Sequence, residues 1–168
     1  GNEINFILGY TFVNPITLEP DKVFAQDYNP SGNGDFSYNS TSVNPETKVL
    51  KYRFKHTLKL DVEYIKKAFS MGISGRYFSK VLNVDKAIFD FEDATKNIGG
   101  DFPPLLYQDY FYNENKGRVI FDARIGFEFG EHSKVSIVST NFLNTAYSLR
   151  PLKAEPMRSV LVQYILKL

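Results

Sequence analysis

Lys51-Tyr52-Arg53-Phe54-Lys55-His56-Thr57-Leu58-Lys59-Leu60-Asp61-Val62-Glu63-Tyr64 is the stretch that decides the fold. Thirteen of its fourteen positions alternate polar and apolar, with His56 the exception. Period two is the mark of a strand with one wet and one greasy face, since successive side chains point to opposite sides. Tyr52, Phe54, Leu58, Leu60, Val62 and Tyr64 share one face, and Lys51, Arg53, Lys55, Lys59, Asp61 and Glu63 share the other. Twelve steps at about 3.3 Å, tilted about 45°, give roughly 28 Å of height, close to the apolar band of an outer-membrane barrel. On that reading Tyr52, Phe54 and Tyr64 are membrane-rim aromatics.

The same period recurs outward along the chain. Ile4, Phe6, Leu8, Tyr10 and Phe12 alternate with polar residues; so do Phe69, Met71, Ile73 and Tyr77, and then Val119, Phe121, Ala123, Ile125, Phe127 and Phe129. Gly130-Glu131-His132-Ser133 reads as a tight turn into Lys134–Thr140, and Val160, Val162, Tyr164, Leu166 and Leu168 share one face of a last strand. The expectation is an all-β chain, an antiparallel meander of about six strands near 3–13, 50–66, 68–80, 117–129, 134–142 and 158–168. Connections of a few residues alternate with long loops at 14–49 and 81–116. Structureless loops of that length are unusual in a compact domain, whereas short turns at one end and long loops at the other are the pattern of outer-membrane barrels. Residues 1–168 therefore read as one partial domain of a transmembrane β-barrel. A small soluble β-barrel or sandwich, lining its interior with the same alternation and binding a small apolar ligand, is the alternative.

Composition narrows the function. The 168 residues are 43% hydrophobic, enough for a core, and carry a formal charge of +1 with both signs interspersed. That even spread argues against a nucleic-acid partner. With no cysteine and two histidines, His56 and His132, the chain has no disulfide, thiol nucleophile or Cys-based zinc site. No apolar run exceeds three residues, so no helix spans a membrane, a test to which strands are blind. No catalytic constellation, metal set or cofactor cradle emerges, and the expectation is a protein that is not an enzyme. Aromatic residues make up 15%, as fifteen Phe and eleven Tyr with no Trp. The leading Gly1, without an initiator Met, reads as the scar of an excised piece of a longer protein.

The C-terminal third resembles the end of TonB-dependent outer-membrane receptors of the Bacteroidetes type. Asn141-Phe142-Leu143-Asn144, Tyr147, Arg150-Pro151, Glu155-Pro156, Arg158 and the alternating Val160, Val162, Tyr164, Leu166 and Leu168 carry the resemblance. Gly9-Tyr10-Thr11-Phe12, Leu50 to Thr57 and Asp122-Ala123-Arg124 add to it upstream. The family's terminal strand usually closes on an aromatic residue, and here it closes on Leu168. The resemblance implies a parent transporter with a 22-stranded plugged barrel in the outer membrane of a Gram-negative bacterium. Such a parent takes up a siderophore-type iron chelate, a glycan or a vitamin. It implies outer-membrane lipid, the barrel-assembly machinery and the energy-coupling TonB system as partners, the last through a plug upstream of this chain. The segment alone carries no transport, and its greasy face invites self-association.

Other residues are weighed one by one. The charged row from Arg53 to Glu63, with Asp122, Arg124 and Glu128, forms a ligand path or a solvated lumen wall with cross-strand charge pairing. His56 is either a ligand or a neighbour of the rim aromatics. Phe102, Tyr107, Tyr110, Phe111 and Tyr112 crowd the second long loop and either stack on a ligand or pack back on the barrel mouth. Asp27, Asn29, Ser31, Gly32, Asn33 and Asp35 have the spacing of the first part of a calcium loop. Tyr38 stands where a bidentate Glu is required, so turn chemistry also explains that composition.

Overall fold

A computed structural model describes residues 1–26, 34–96 and 105–166. Six long strands form one antiparallel sheet: β1 (Asn2–Phe12), β4 (His56–Lys66), β5 (Phe69–Phe78), β6 (Arg118–Phe129), β7 (Ser133–Thr140) and β8 (Ser159–Leu166), in the order β1-β4-β5-β6-β7-β8. The meander follows from the sequence period, because each strand needs only its chain neighbour to satisfy one edge. β4 and β5 are joined through Lys67, at φ 52°, and β6 and β7 through Gly130, at φ 63°. Both are tight reversals that need a residue in the left-handed region. The connections after β1, β5 and β7 are long, so short links gather at one end of the meander and long ones at the other.

Register keeps like with like. One row crosses all six strands as Ile4, Tyr64, Met71, Ile125, Ile137 and Val162. The row beside it on the opposite face reads Asn5, Glu63, Gly72, Arg124, Val138 and Leu161. A slip of one residue in any pair would exchange the two faces of a strand, so the pattern itself pins the register.

β1 and β8 each pair on one side only, and the sheet is not a closed barrel. That corrects the closed-barrel form of the alternative: no closed interior lined by the apolar row exists among the described residues. Among the described residues the other sheet is two-stranded, β2 (Ala25–Gln26) with β3 (Asp35–Phe36).

The described parts of Val13–Lys55 and Lys80–Lys116 form a second unit of their own. They hold helices α1 (Tyr38–Thr41), α2 (Lys86–Thr95) and α3 (Tyr107–Asp109) with a 3-10 turn at Pro45–Thr47, so the chain is mostly but not wholly β. The two long connections are thus built rather than structureless. Val84, Phe89 and Phe111 are their buried core, packed by Val43, Tyr52, Val81, Ile88 and Tyr107.

The strand expected at 50–66 begins only at His56. Lys51 and Tyr52 form a turn with Tyr52 at φ 61°, an unusual conformation for a bulky side chain. Alternation runs on through this stretch, yet side-chain demand overrides it. The Lys51 ammonium lies 2.5 Å from the Asp85 carboxylate, and the Tyr52 phenol donates to the same carboxylate and accepts from the Asp85 N–H at 3.1 Å.

Candidate functional site

Three surfaces gather the residues that the sequence singles out. The first is the apolar face of the six-stranded sheet. Ile4, Phe6, Tyr10, Ile73, Ile125, Ile137, Val162 and Tyr164 all lie on it and all are exposed, Ile4 at 71% and Val162 at 66%. Val160, Leu166 and Tyr64 share it, with Tyr64 between Ile4 and Met71 near the short-link end. Leu168 lies outside the described residues. An apolar field running across six strands is far beyond the scattered exposed side chains of ordinary surfaces and marks an interaction surface. Gly75 belongs to it for a reason of space: a Cβ there would stand 3.2 Å from the Phe121 ring.

The second is the opposite face, whose charges are tied to one another. Arg124 on β6 passes over Gly72 on β5 and reaches β4, with Nη2 2.8 Å from Asp61 Oδ1, Nη1 2.9 Å from Oδ2 and Nε 3.3 Å from Glu63. Ser74 donates to Asp61 and accepts from Arg124 Nη1 at 3.0 Å. A second bridge, Arg76 to Asp122 at 2.9 Å, runs from β5 to β6. The bidentate fork matches a carboxylate in shape as well as charge. Charge pairing of this kind links strands rather than leaving a row of free charges, while Arg76 Nε is buried without a hydrogen-bond partner among the described residues.

The turn after β7 extends this face. Asn141 and Asn144 sit at φ 48° and 57°, where asparagine is among the tolerated side chains. Buried Asn141 donates from Nδ2 to the Thr145 and Pro156 carbonyls, accepts the Thr145 N–H, and gives its own N–H to Asp122 at 2.8 Å. Asn144 Oδ1 accepts the Arg158 N–H at 2.9 Å. The asparagines that carry the family resemblance therefore fold the approach to β8.

The third surface is the unit built from the long connections. Phe111 is buried and Tyr107 half-buried, both edge-on to Phe89 at 5.7 and 6.3 Å between ring centroids. Tyr110 packs against Tyr107 at 5.7 Å. Tyr112 stands 64% exposed while its ring contacts Phe89 and Phe111. Phe102 lies outside the described residues. Loss of water around Tyr107 pushes its phenol up to about 12, and burial together with the Asp85 carboxylate raises Tyr52 well above the ordinary tyrosine range.

Two groups here were invisible to periodicity. Asn83, wholly buried, donates from Nδ2 to Tyr38 Oη and the Val49 carbonyl and accepts the Asn44 N–H. Buried Glu92 accepts the N–H groups of Tyr107 and Gln108 at 2.8 and 2.9 Å.

Tyr52 and Phe54 lie before the first residue of β4, His56. Tyr52 packs with the second unit's core and Phe54 bridges to Val81. His56 does sit on the apolar face, its Nδ1 2.8 Å from Tyr10 Oη and its ring 5.1 Å from that of Phe12. No group of metal-ligating side chains is present among the described residues. Of the calcium-like spacing, Asp27, Asn29, Ser31, Gly32 and Asn33 lie outside the described residues. Asp35 accepts from Gln26 at 2.9 Å, and the Tyr38 hydroxyl donates to the Val49 carbonyl. No protein-family model, curated protein or solved structure matches the chain.

Proposed function

We propose that the six-stranded sheet is a membrane-embedded barrel segment of an outer-membrane nutrient receptor of the TonB-dependent type. The observation that carries the reading is the exposed apolar row from Ile4 to Val162, opposite a face on which Arg124 pairs with Asp61 and Glu63 and Arg76 with Asp122. Lipid takes the apolar face and water the charged one, the division that alternating barrel strands make. The long connections, gathered at one end, form the extracellular side, and the aromatic group around Tyr112 contacts the incoming siderophore-type chelate or other nutrient there. The receptor class and its substrate come from the C-terminal resemblance.

The absence of tryptophan makes the test clean. Single reporters Phe6→Trp and Ile125→Trp are expected to lose most of their fluorescence in vesicles of brominated-chain phospholipid, and Asn5→Trp to keep it. Equal quenching on both faces, or none on either, overturns the membrane reading. The receptor class is tested by uptake of a labelled ferric chelate in cells carrying the full-length protein, with and without the β8 segment.

A further inference from the structure

We infer that Lys59 and Arg76 form a binding site for a small oxyanion, the carboxylate or phosphate group of a solute, on the charged face of the sheet. The two residues are register partners on β4 and β5, so both cations stand on one face directly opposite each other. Directly opposed side chains have Cβ atoms about 5 Å apart, and like charges in that position destabilise a sheet. β4 and β5 are interior strands, each paired on both sides within this chain, so the juxtaposition is independent of anything beyond β1 or β8.

The neighbouring carboxylates do not relieve it. Asp61, two residues on from Lys59, is held by both arms of the Arg124 fork and by Ser74. Asp122 takes Arg76 Nη2 at 2.9 Å and the Asn141 N–H at 2.8 Å. Lys59 is exposed and makes no ion pair or hydrogen bond among the described residues. Arg76 is partly satisfied, with Nε buried and lacking an acceptor, the kind of orphaned donor that calls for a water or an ion. An oxyanion between the two side chains gives Lys59 its counter-charge and the guanidinium a second acceptor. The flanks of the row suit such a guest. On the β1 side stands Gly9, where a Cβ would meet nothing within 4 Å, and on the β6 side stands fully buried Ile120. One flank is open for entry and the other is dry, which strengthens the contacts made against it.

Arginine labelled with nitrogen-15 makes the guanidinium visible by magnetic resonance in an uncharged detergent, with Arg76 Nε assigned by its loss in Arg76→Lys. Titration with inorganic phosphate, and separately with malonate, at low ionic strength is expected to move the Arg76 signal along a saturating curve, while Arg124 Nε, already bonded to Glu63, stays in place. Lys59→Gln removes an exposed side chain without a partner, so the fold is kept, and the curve is expected to weaken about tenfold, the worth of one charge-assisted contact. Lys134→Gln, on the same face and bridged to Glu128, is expected to leave it unchanged. Saturation by phosphate alone assigns a phosphate-bearing solute, by malonate alone a carboxylate-bearing one, and by both a site for either group. A drift without saturation, an undiminished curve in Lys59→Gln, or an equal shift at exposed Arg53 overturns the inference. Quenching in brominated lipid is read on the other face, so this result and the membrane reading stand apart.

Discussion

Arg124 and Asp61 sit on strands that are not neighbours, yet their side chains form a two-pronged ion pair, at 2.8 and 2.9 Å, directly over β5. Gly72 is what lets them meet. It is the register partner of both Glu63 and Arg124, and a Cβ there would stand 2.6 Å from Arg124 Cζ. The missing side chain on the middle strand opens a channel for the guanidinium, and three strands become one electrostatic unit.

Replacing this glycine therefore works against the usual trend. Glycine inside a strand is ordinarily a weak point that a side chain relieves. Gly72→Ala is expected instead to destabilise by about 1–2 kcal/mol, the scale of lost charge-assisted hydrogen bonds on a half-open face. Thermal unfolding in detergent, followed by circular dichroism, reads it. In an Arg124→Ala background the same change is expected to be neutral or stabilising, and a penalty that persists there rules out the channel.

Arg124→Lys tests the fork itself. Lysine keeps the charge but presents a point ammonium that cannot bind both Asp61 oxygens and Glu63 together. A loss of about 1 kcal/mol is expected, largely insensitive to whether Glu63 is then changed to Gln. Wild-type stability in Arg124→Lys would mean that charge alone holds the three strands.

The sheet was legible because period two states both the strands and their faces, and cross-strand register then aligns Ile4 through Val162 with no further information. Gly72 and Gly75 have no side chain to join that alternation, and their purpose lies on neighbouring strands. Lys51 and Tyr52 depart from the expected strand for the opposite reason. The local pattern continued through them, while Asp85, more than thirty residues away, drew Lys51 and Tyr52 into a turn. The helical unit was hidden because its organisers, Asn83 and Glu92, are polar residues buried by tertiary hydrogen bonds that no local period announces. The aromatic loop was visible as a density of rings, and its division into buried Phe111 and exposed Tyr112 only appears with the fold.

Asn83→Leu measures how much of the second unit hangs on one amide. The replacement is similar in volume but leaves the Asn44 N–H without its partner and removes two donations, to Tyr38 Oη and the Val49 carbonyl. Buried polar groups stripped of partners cost about 1–3 kcal/mol each, and a total loss of about 2–4 kcal/mol is expected. Hydrogen exchange is expected to quicken at Val43, Asn44 and Tyr52, whose N–H groups bond Val84, Asn83 or its carbonyl, while strands β4 to β6 keep their protection. Uniform acceleration through the sheet would contradict the self-contained packing of Val84, Phe89 and Phe111.

Alkaline pH probes the aromatic group around Tyr107. Its folded phenol is raised to about 12 by burial, against about 10 in an unfolded chain. A raised folded value means that its contribution is intact below pH 10 and is lost as pH climbs from about 10 to about 12, because only the unfolded chain ionises in that window. Tyr52, raised by burial and by Asp85, works in the same direction. Phenolate absorbance of wild type minus Tyr107→Phe is expected to show a missing group that titrates near 12. Near-ultraviolet dichroism from the Phe89, Tyr107 and Phe111 cluster is expected to fade over the same interval. A missing group that titrates near 10 would place Tyr107 in open water and dissolve the packing that holds Tyr112 outward.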